Sequence, residues 1–236
     1  YVELDSFVYY NSAQVTNVGD LKTRVTSSLS TYSQSREVNK FGGRFKYSKV
    51  LNVIDNVDKA ITSNITRVTI RRNLQVLTNQ FAQYELCFGN QFNVKPGGFN
   101  IKSTKFQIAG ETGECFLTDT PNADLKTGII SIVKTDPRND TDSVIAQSAG
   151  TVDYVKGDIN LTTVNIVSTE RPNNVIEIQA FPESNDVIGL KDIYLDFSIS
   201  DSTINMVKDT ITSGEKISGV GFKVTSSYNN GEKFRG

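Results

Sequence analysis

The sequence predicts an α+β fold in which an N-terminal strand–helix–helix–strand–strand unit is followed by a β-rich, mostly antiparallel region. Three observations support this. Two stretches before residue 58 carry apolar residues at helical spacing. The period then changes to two past Ser63. From Lys95-Pro96-Gly97-Gly98 onward helical periodicity nearly vanishes, while turn-rich stretches separate short apolar runs. A soft boundary near residue 96 divides the chain into an α+β unit at 1–95 and a β-rich domain at 96–236.

Val2 to Asn11 is rich in Val, Phe and Tyr and reads as a strand. Asp20 is placed to cap a helix whose apolar stripe is Leu21, Val25, Leu29 and Tyr32, about four turns in all. Tyr47, Val50, Leu51, Ile54 and Val57 form a second stripe, and Gly42-Gly43 sits between the two helices. Next, Thr66, Val68, Ile70, Leu74 and Val76 line one side of a strand, with Arg67, Thr69, Arg71 and Asn73 on the other. Arg72 breaks the apolar side, which predicts a bulge or a strand end. Tyr84, Leu86 and Phe88 alternate again and predict a hairpin with that strand. Further strands are expected within Phe99–Ile108, Ile129–Val133, Thr151–Val155, Ile159–Val167, Val175–Phe181 and Ile193–Ile199. Ser226 to Gly236 reads as a loop or frayed end.

Composition excludes several kinds of function. The 236 residues hold 25 Lys plus Arg against 26 Asp plus Glu, a net charge of -1. That balance opposes sequence-independent nucleic-acid binding, which depends on surplus basic charge. There is no histidine, which removes Ser-His-Asp and Cys-His catalysis and any mixed Cys/His zinc site. Two cysteines, Cys87 and Cys115, are too few for a disulfide scaffold and read as reduced residues in or near a core. No apolar run approaches the roughly 18 residues of a membrane span. Tyr1-Val2-Glu3-Leu4-Asp5 lacks the basic start and apolar stretch of a signal peptide. The sequence thus points to no enzyme, no cofactor, no nucleic acid and no membrane.

The remaining features suit solvated or contact surface better than chemistry. Asp136, Asp140 and Asp142 cluster between strands, yet without the alternating acids, central Gly and terminal Glu of a calcium loop, so they read as a solvated acidic turn. Arg67 and Arg71 share the polar side of their strand beside Arg72, as on a solvated or interface strand. Gly89-Asn90 and Gly97-Gly98 fit no phosphate-loop spacing and read as turns. Asn64-Ile65-Thr66, Asn139-Asp140-Thr141 and Asn160-Leu161-Thr162 match the glycosylation acceptor pattern as chance matches in a chain rich in Asn and Thr. The densest contact candidate is Phe41, Arg44, Phe45 and Tyr47, because aromatics with Arg are enriched in interface cores. The same aromatics also suit pinning the two helices onto the sheet. Together with Arg67 and Arg71, these residues are the candidate interface.

One ordered set of segments resembles a known family. Asn39 through Lys49 (Asn-Lys-Phe-Gly-Gly-Arg-Phe-Lys-Tyr-Ser-Lys), then Val53-Ile54-Asp55 and Ile61-Thr62-Ser63-Asn64-Ile65-Thr66, resembles the baseplate wedge protein of T4-like bacteriophages. Leu86-Cys87-Phe88-Gly89-Asn90 and Gly150 through Ile159 look like later segments of that family, a relative of J-type baseplate proteins. The resemblance, with the absent initiator Met, implies the C-terminal part of a longer protein. It also implies a non-enzymatic structural subunit in the virion tail baseplate, made in the host cytoplasm. Such subunits dimerise and join neighbouring wedges into a ring around the tail hub, beside other wedge proteins. The rival expectation is a carbohydrate- or receptor-binding β module of a viral tail, which the absence of Trp weakens.

Overall fold

The computed structural model describes residues 1–136 and 141–211. Strand β1 (Val2–Tyr10) leads into helix α1 (Val18–Ser33). Two-residue strands β2 (Lys40–Phe41) and β3 (Arg44–Phe45) precede helix α2 (Tyr47–Asp55). Strands then follow without further α-helix: β4 (Ile61–Gln75), β5 (Phe81–Cys87), β6 (Lys102–Ser103), β7 (Phe106–Ile108) and β8 (Phe116–Pro121). The series continues with β9 (Thr127–Asp136), β10 (Thr141–Asp153), β11 (Asp158–Thr169) and β12 (Val175–Ala180). Last come β13 (Val187–Ile188), β14 (Tyr194–Leu195) and β15 (Thr203–Lys208).

These elements correct the α+β class. The described residues are 49% strand and 15% helical, with only two α-helices, so the protein is mostly β with a large mixed sheet. The alternation pattern missed whole strands. In β8, Asp119 falls among buried neighbours and disguises the run; in β15 no clear two-residue alternation marks the strand. The β15–β1 pairing is parallel, from Asp5↔Thr203 to Tyr10↔Lys208, so the sheet is not simply antiparallel. The expected β4–β5 hairpin does not form. β5 pairs with β11, placing Leu86 opposite Ile159, and β4 pairs with β12, placing Leu74 opposite Ile176. Buried apolar partners distant in sequence outweigh proximity along the chain.

The chain divides into two compact units. Among the described residues the second comprises Leu4–Tyr32, Ser48–Arg67 and residues 202–211. In it, β15, β1 and β4 lie side by side. Leu21, Val25 and Leu29 of α1, with Val50 and Ile54 of α2, are fully buried, each stabilising by about 1.5–3 kcal/mol. Asn17, not the expected Asp20, caps α1: its Oδ1 accepts the Gly19 N–H at 2.9 Å. Asn is as strong a cap as Asp. Ser6 and Thr66 hydroxyls meet at 3.0 Å, so the polar groups buried beneath β1 and β4 satisfy each other.

The first unit comprises Tyr1–Glu3, Ser33–Tyr47 and Val68–Asp201. Its strands run in the order β4-β12-β6-β8-β9-β10-β11-β5, and β7 pairs with β11. Because β7 also bridges to Cys115 beside β8, the path β7-β8-β9-β10-β11-β7 closes on itself. While β5 stays at the end of the strand order, closure gives β8, β9 and β10 neighbours on both sides, as in a small barrel. Phe106, Leu117, Ile132, Leu161, Ile166 and Ile176 line its apolar interior.

One buried polar pair fixes this core. Asp119 is wholly buried and accepts the Tyr154 O–H at 2.7 Å and the Ile101 N–H at 2.7 Å. Burial and the Asp119 carboxylate push the Tyr154 phenol well above its ordinary value, so it stays a donor. Gly98, at φ +76°, packs so close that a Cβ would meet the Asp119 carbonyl at 2.3 Å; the turn requires glycine there. Tyr154→Phe removes one of the two bonds to a buried carboxylate. It is expected to destabilise the folded protein by about 1.5–3 kcal/mol, read from unfolding in urea. An unchanged unfolding midpoint would show that Asp119 does not depend on that hydroxyl.

Candidate functional site

The site begins with a buried cation. Arg71 on β4 is 5% exposed, and a guanidinium so placed needs partners for its fixed fork of donors. It bonds Glu3 of β1 through Nε, and Glu177 of β12 (2.5 Å) and Asn73 (3.0 Å) through Nη1. Nη2 reaches Asp201 at 2.8 Å. The Tyr1 ring lies 4.5 Å from the guanidinium carbon. Around this shell, Gln179 donates to Glu3 (2.9 Å), Arg171 to Glu177 (2.8 Å) and Ser198 to Asp201 (2.7 Å). Four of the five guanidinium N–H groups are engaged, so Arg71 serves as an internal tie between strands.

Burial pushes the Glu3 carboxyl above the ordinary glutamate value of 4.5, against the opposing pull of Arg71. The folded protein therefore holds that proton more tightly than the unfolded chain. The stability this contributes is complete below the ordinary value and is lost as pH rises through the raised one. Compared with Glu3→Gln, the wild type is expected to gain relative stability as pH falls from neutral toward the ordinary glutamate value. Urea unfolding across that range measures it; a flat difference or the opposite slope would refute the assignment.

The residues singled out from sequence take different places. Phe45 is 1% exposed and packs edge-on against Phe197, with ring centroids 5.2 Å apart. Phe41 is 63% exposed and meets Tyr194 edge-on at 5.3 Å. Arg44 is exposed and stands opposite Ile188 in the β3–β13 pair. Tyr47 is half-buried, and its backbone N–H, at the start of α2, donates to Asp186 at 2.8 Å. Arg67 is exposed and belongs to the second unit, whereas Arg71 is buried in the first. Of the six, the fold brings Phe41 and Arg44 to a common surface setting, on two short paired ribbons, β2–β14 and β3–β13.

Alternation along Ile193–Ile199 puts Tyr194 on the side away from Leu195 and Phe197 without marking it as a contact residue, and the sequence reading missed Ile188; the two complete that surface at 47% and 54% exposed. A single exposed apolar residue between turns carries no periodic signal, so only its cross-strand partner reveals it. Of the acidic turn, Asp140 lies outside the described residues; Asp142 accepts a hydrogen bond from Thr135 at 2.7 Å. Among the described residues no group of three His, Cys, Asp or Glu side chains is arranged to hold a metal, and no helix is long and apolar enough to cross a membrane.

The described geometry is thus a polar hub that ties strands together, beside an exposed aromatic surface. Residues 1–73 match the family model described as baseplate structural protein gp6, C-terminal domain III. The matched span runs from β1 through most of β4 and contains three of the segments that carry the resemblance, between Asn39 and Thr66. The segments at 86–90 and 150–159 lie beyond it. The match supports a structural role in a bacteriophage virion, in the tail baseplate and in association with other baseplate proteins. A search of curated proteins found no match.

Proposed function

We propose that the chain is a non-enzymatic subunit of a contractile-tail baseplate wedge that joins neighbouring wedges into a ring around the tail hub. The match over residues 1–73 carries this reading. The later segments that resemble the same family extend it along the chain. Copies associate with one another and with other wedge proteins, assembling in the host cytoplasm before the virion is complete. The role calls for no cofactor, nucleic acid or membrane.

A ring-forming subunit needs at least one surface that a neighbouring copy can meet repeatedly. Phe41 and Arg44 supply the exposed aromatic and cationic groups for it. Sedimentation of the chain over a range of concentrations tests this. Defined oligomers that shift toward monomer in Phe41→Ala, with the fold unchanged, are the expected result. A wild-type chain that stays monomeric at high concentration would overturn self-association through this surface.

A further inference from the structure

A small cleft of about 50 Å³ opens in the first unit beside the β2–β14 and β3–β13 ribbons. The rings of Tyr1, Phe88 and Tyr194 and the Ile188 side chain form apolar walls, and Arg71 and Arg72 supply the charged side chains of the lining. These two arginines differ. Arg71 is already paired with Glu3, Glu177 and Asp201. Arg72, half-buried, gives one N–H to the Cys87 carbonyl and has no carboxylate partner among the described residues. A partly desolvated guanidinium with open donors in a fixed fork favours an incoming carboxylate. Arg44, opposite Ile188, adds a second cation without a carboxylate partner among the described residues.

We propose that this cleft receives an acidic–apolar segment of a partner protein, with an Asp or Glu carboxylate on Arg72 and the adjoining apolar side chain on Ile188, Tyr194 and Phe41. Charge complementarity selects the carboxylate, and the exposed apolar rim selects a protein segment over a free anion. Two arginines in a chain of net charge -1 give too little basic surface for a nucleic acid. The proposal rests on the reading that the Phe41 surface is an interface. Intact self-association with a failed peptide test would overturn the cleft assignment alone.

The probes are two blocked tripeptides, acetyl-Leu-Glu-Leu-amide and acetyl-Leu-Gln-Leu-amide, titrated to millimolar concentration against the isotope-labelled full chain. The Glu peptide is expected to shift the Ile188 methyl and Arg72 Nε resonances saturably. It should bind about tenfold more tightly than the Gln peptide, the discrimination typical of one charge-assisted contact. Arg72→Gln should abolish that preference. Ile188→Ser, at an exposed position that leaves the core intact, should weaken both peptides. Equal binding of the two, an unchanged preference in Arg72→Gln, no shift at all, or the same shift with inorganic phosphate alone would each overturn the proposal.

Discussion

Replacing Arg71 with Met is expected to destabilise the protein by about 3–5 kcal/mol at neutral pH. The variant keeps only the unbranched stem of the side chain and leaves Glu3, 6% exposed, and Glu177 without their shared cation. The loss therefore comes mainly from carboxylates stranded out of water, and less from the ion pairs themselves. Removing the cation also lets the Glu3 carboxyl rise further above its ordinary range. The deficit should accordingly shrink as pH falls and Glu3 takes up a proton. Urea unfolding at neutral and mildly acidic pH measures both features. A loss under about 1 kcal/mol would show that Arg71 is not the tie its bonds describe.

Phe45→Ala carries the other large effect. The side chain is buried and packed against Phe197, so truncation is expected to cost about 3–5 kcal/mol through lost burial and the cavity left behind. The cost should be the same at every protein concentration, because the missing contacts lie within one chain. Phe41→Ala, four residues earlier and 63% exposed, should change stability by less than about 0.5 kcal/mol. The pair separates a packing aromatic from a surface one. A small effect at Phe45 that grew on dilution would instead make it an interface residue.

How much of this was legible in the sequence depended on the distance over which each interaction acts. Helical stripes are local, and Leu21, Val25 and Leu29 could be read directly as a buried face. The buried side of β4, with Thr66, Val68, Ile70 and Leu74 and continued by Val76 just past its end, was equally plain in its two-residue period. Pairing was not. Nothing near Leu74 indicates that Ile176 stands opposite, and nothing near Asp5 indicates a parallel neighbour at Thr203. Asp119 concealed β8 because a buried carboxylate looks like surface until Tyr154 and Ile101 are known to hold it. The candidate site follows the same pattern. Arg71 stood out as a charged residue on a strand, but its three carboxylates lie 68, 106 and 130 residues away. Phe41 was legible as an aromatic beside glycines, whereas its cross-strand contact with Tyr194 was visible only once β2 and β14 had paired.

The structural role is tested most directly on intact virions. Tails of the phage that carries this chain can be labelled with an antibody to it and imaged by cryo-electron microscopy, where label ringing the baseplate is the expected result. Label confined to the capsid or spread along the sheath, or baseplates that bind none while the antibody recognises the denatured protein from the same particles, would contradict it.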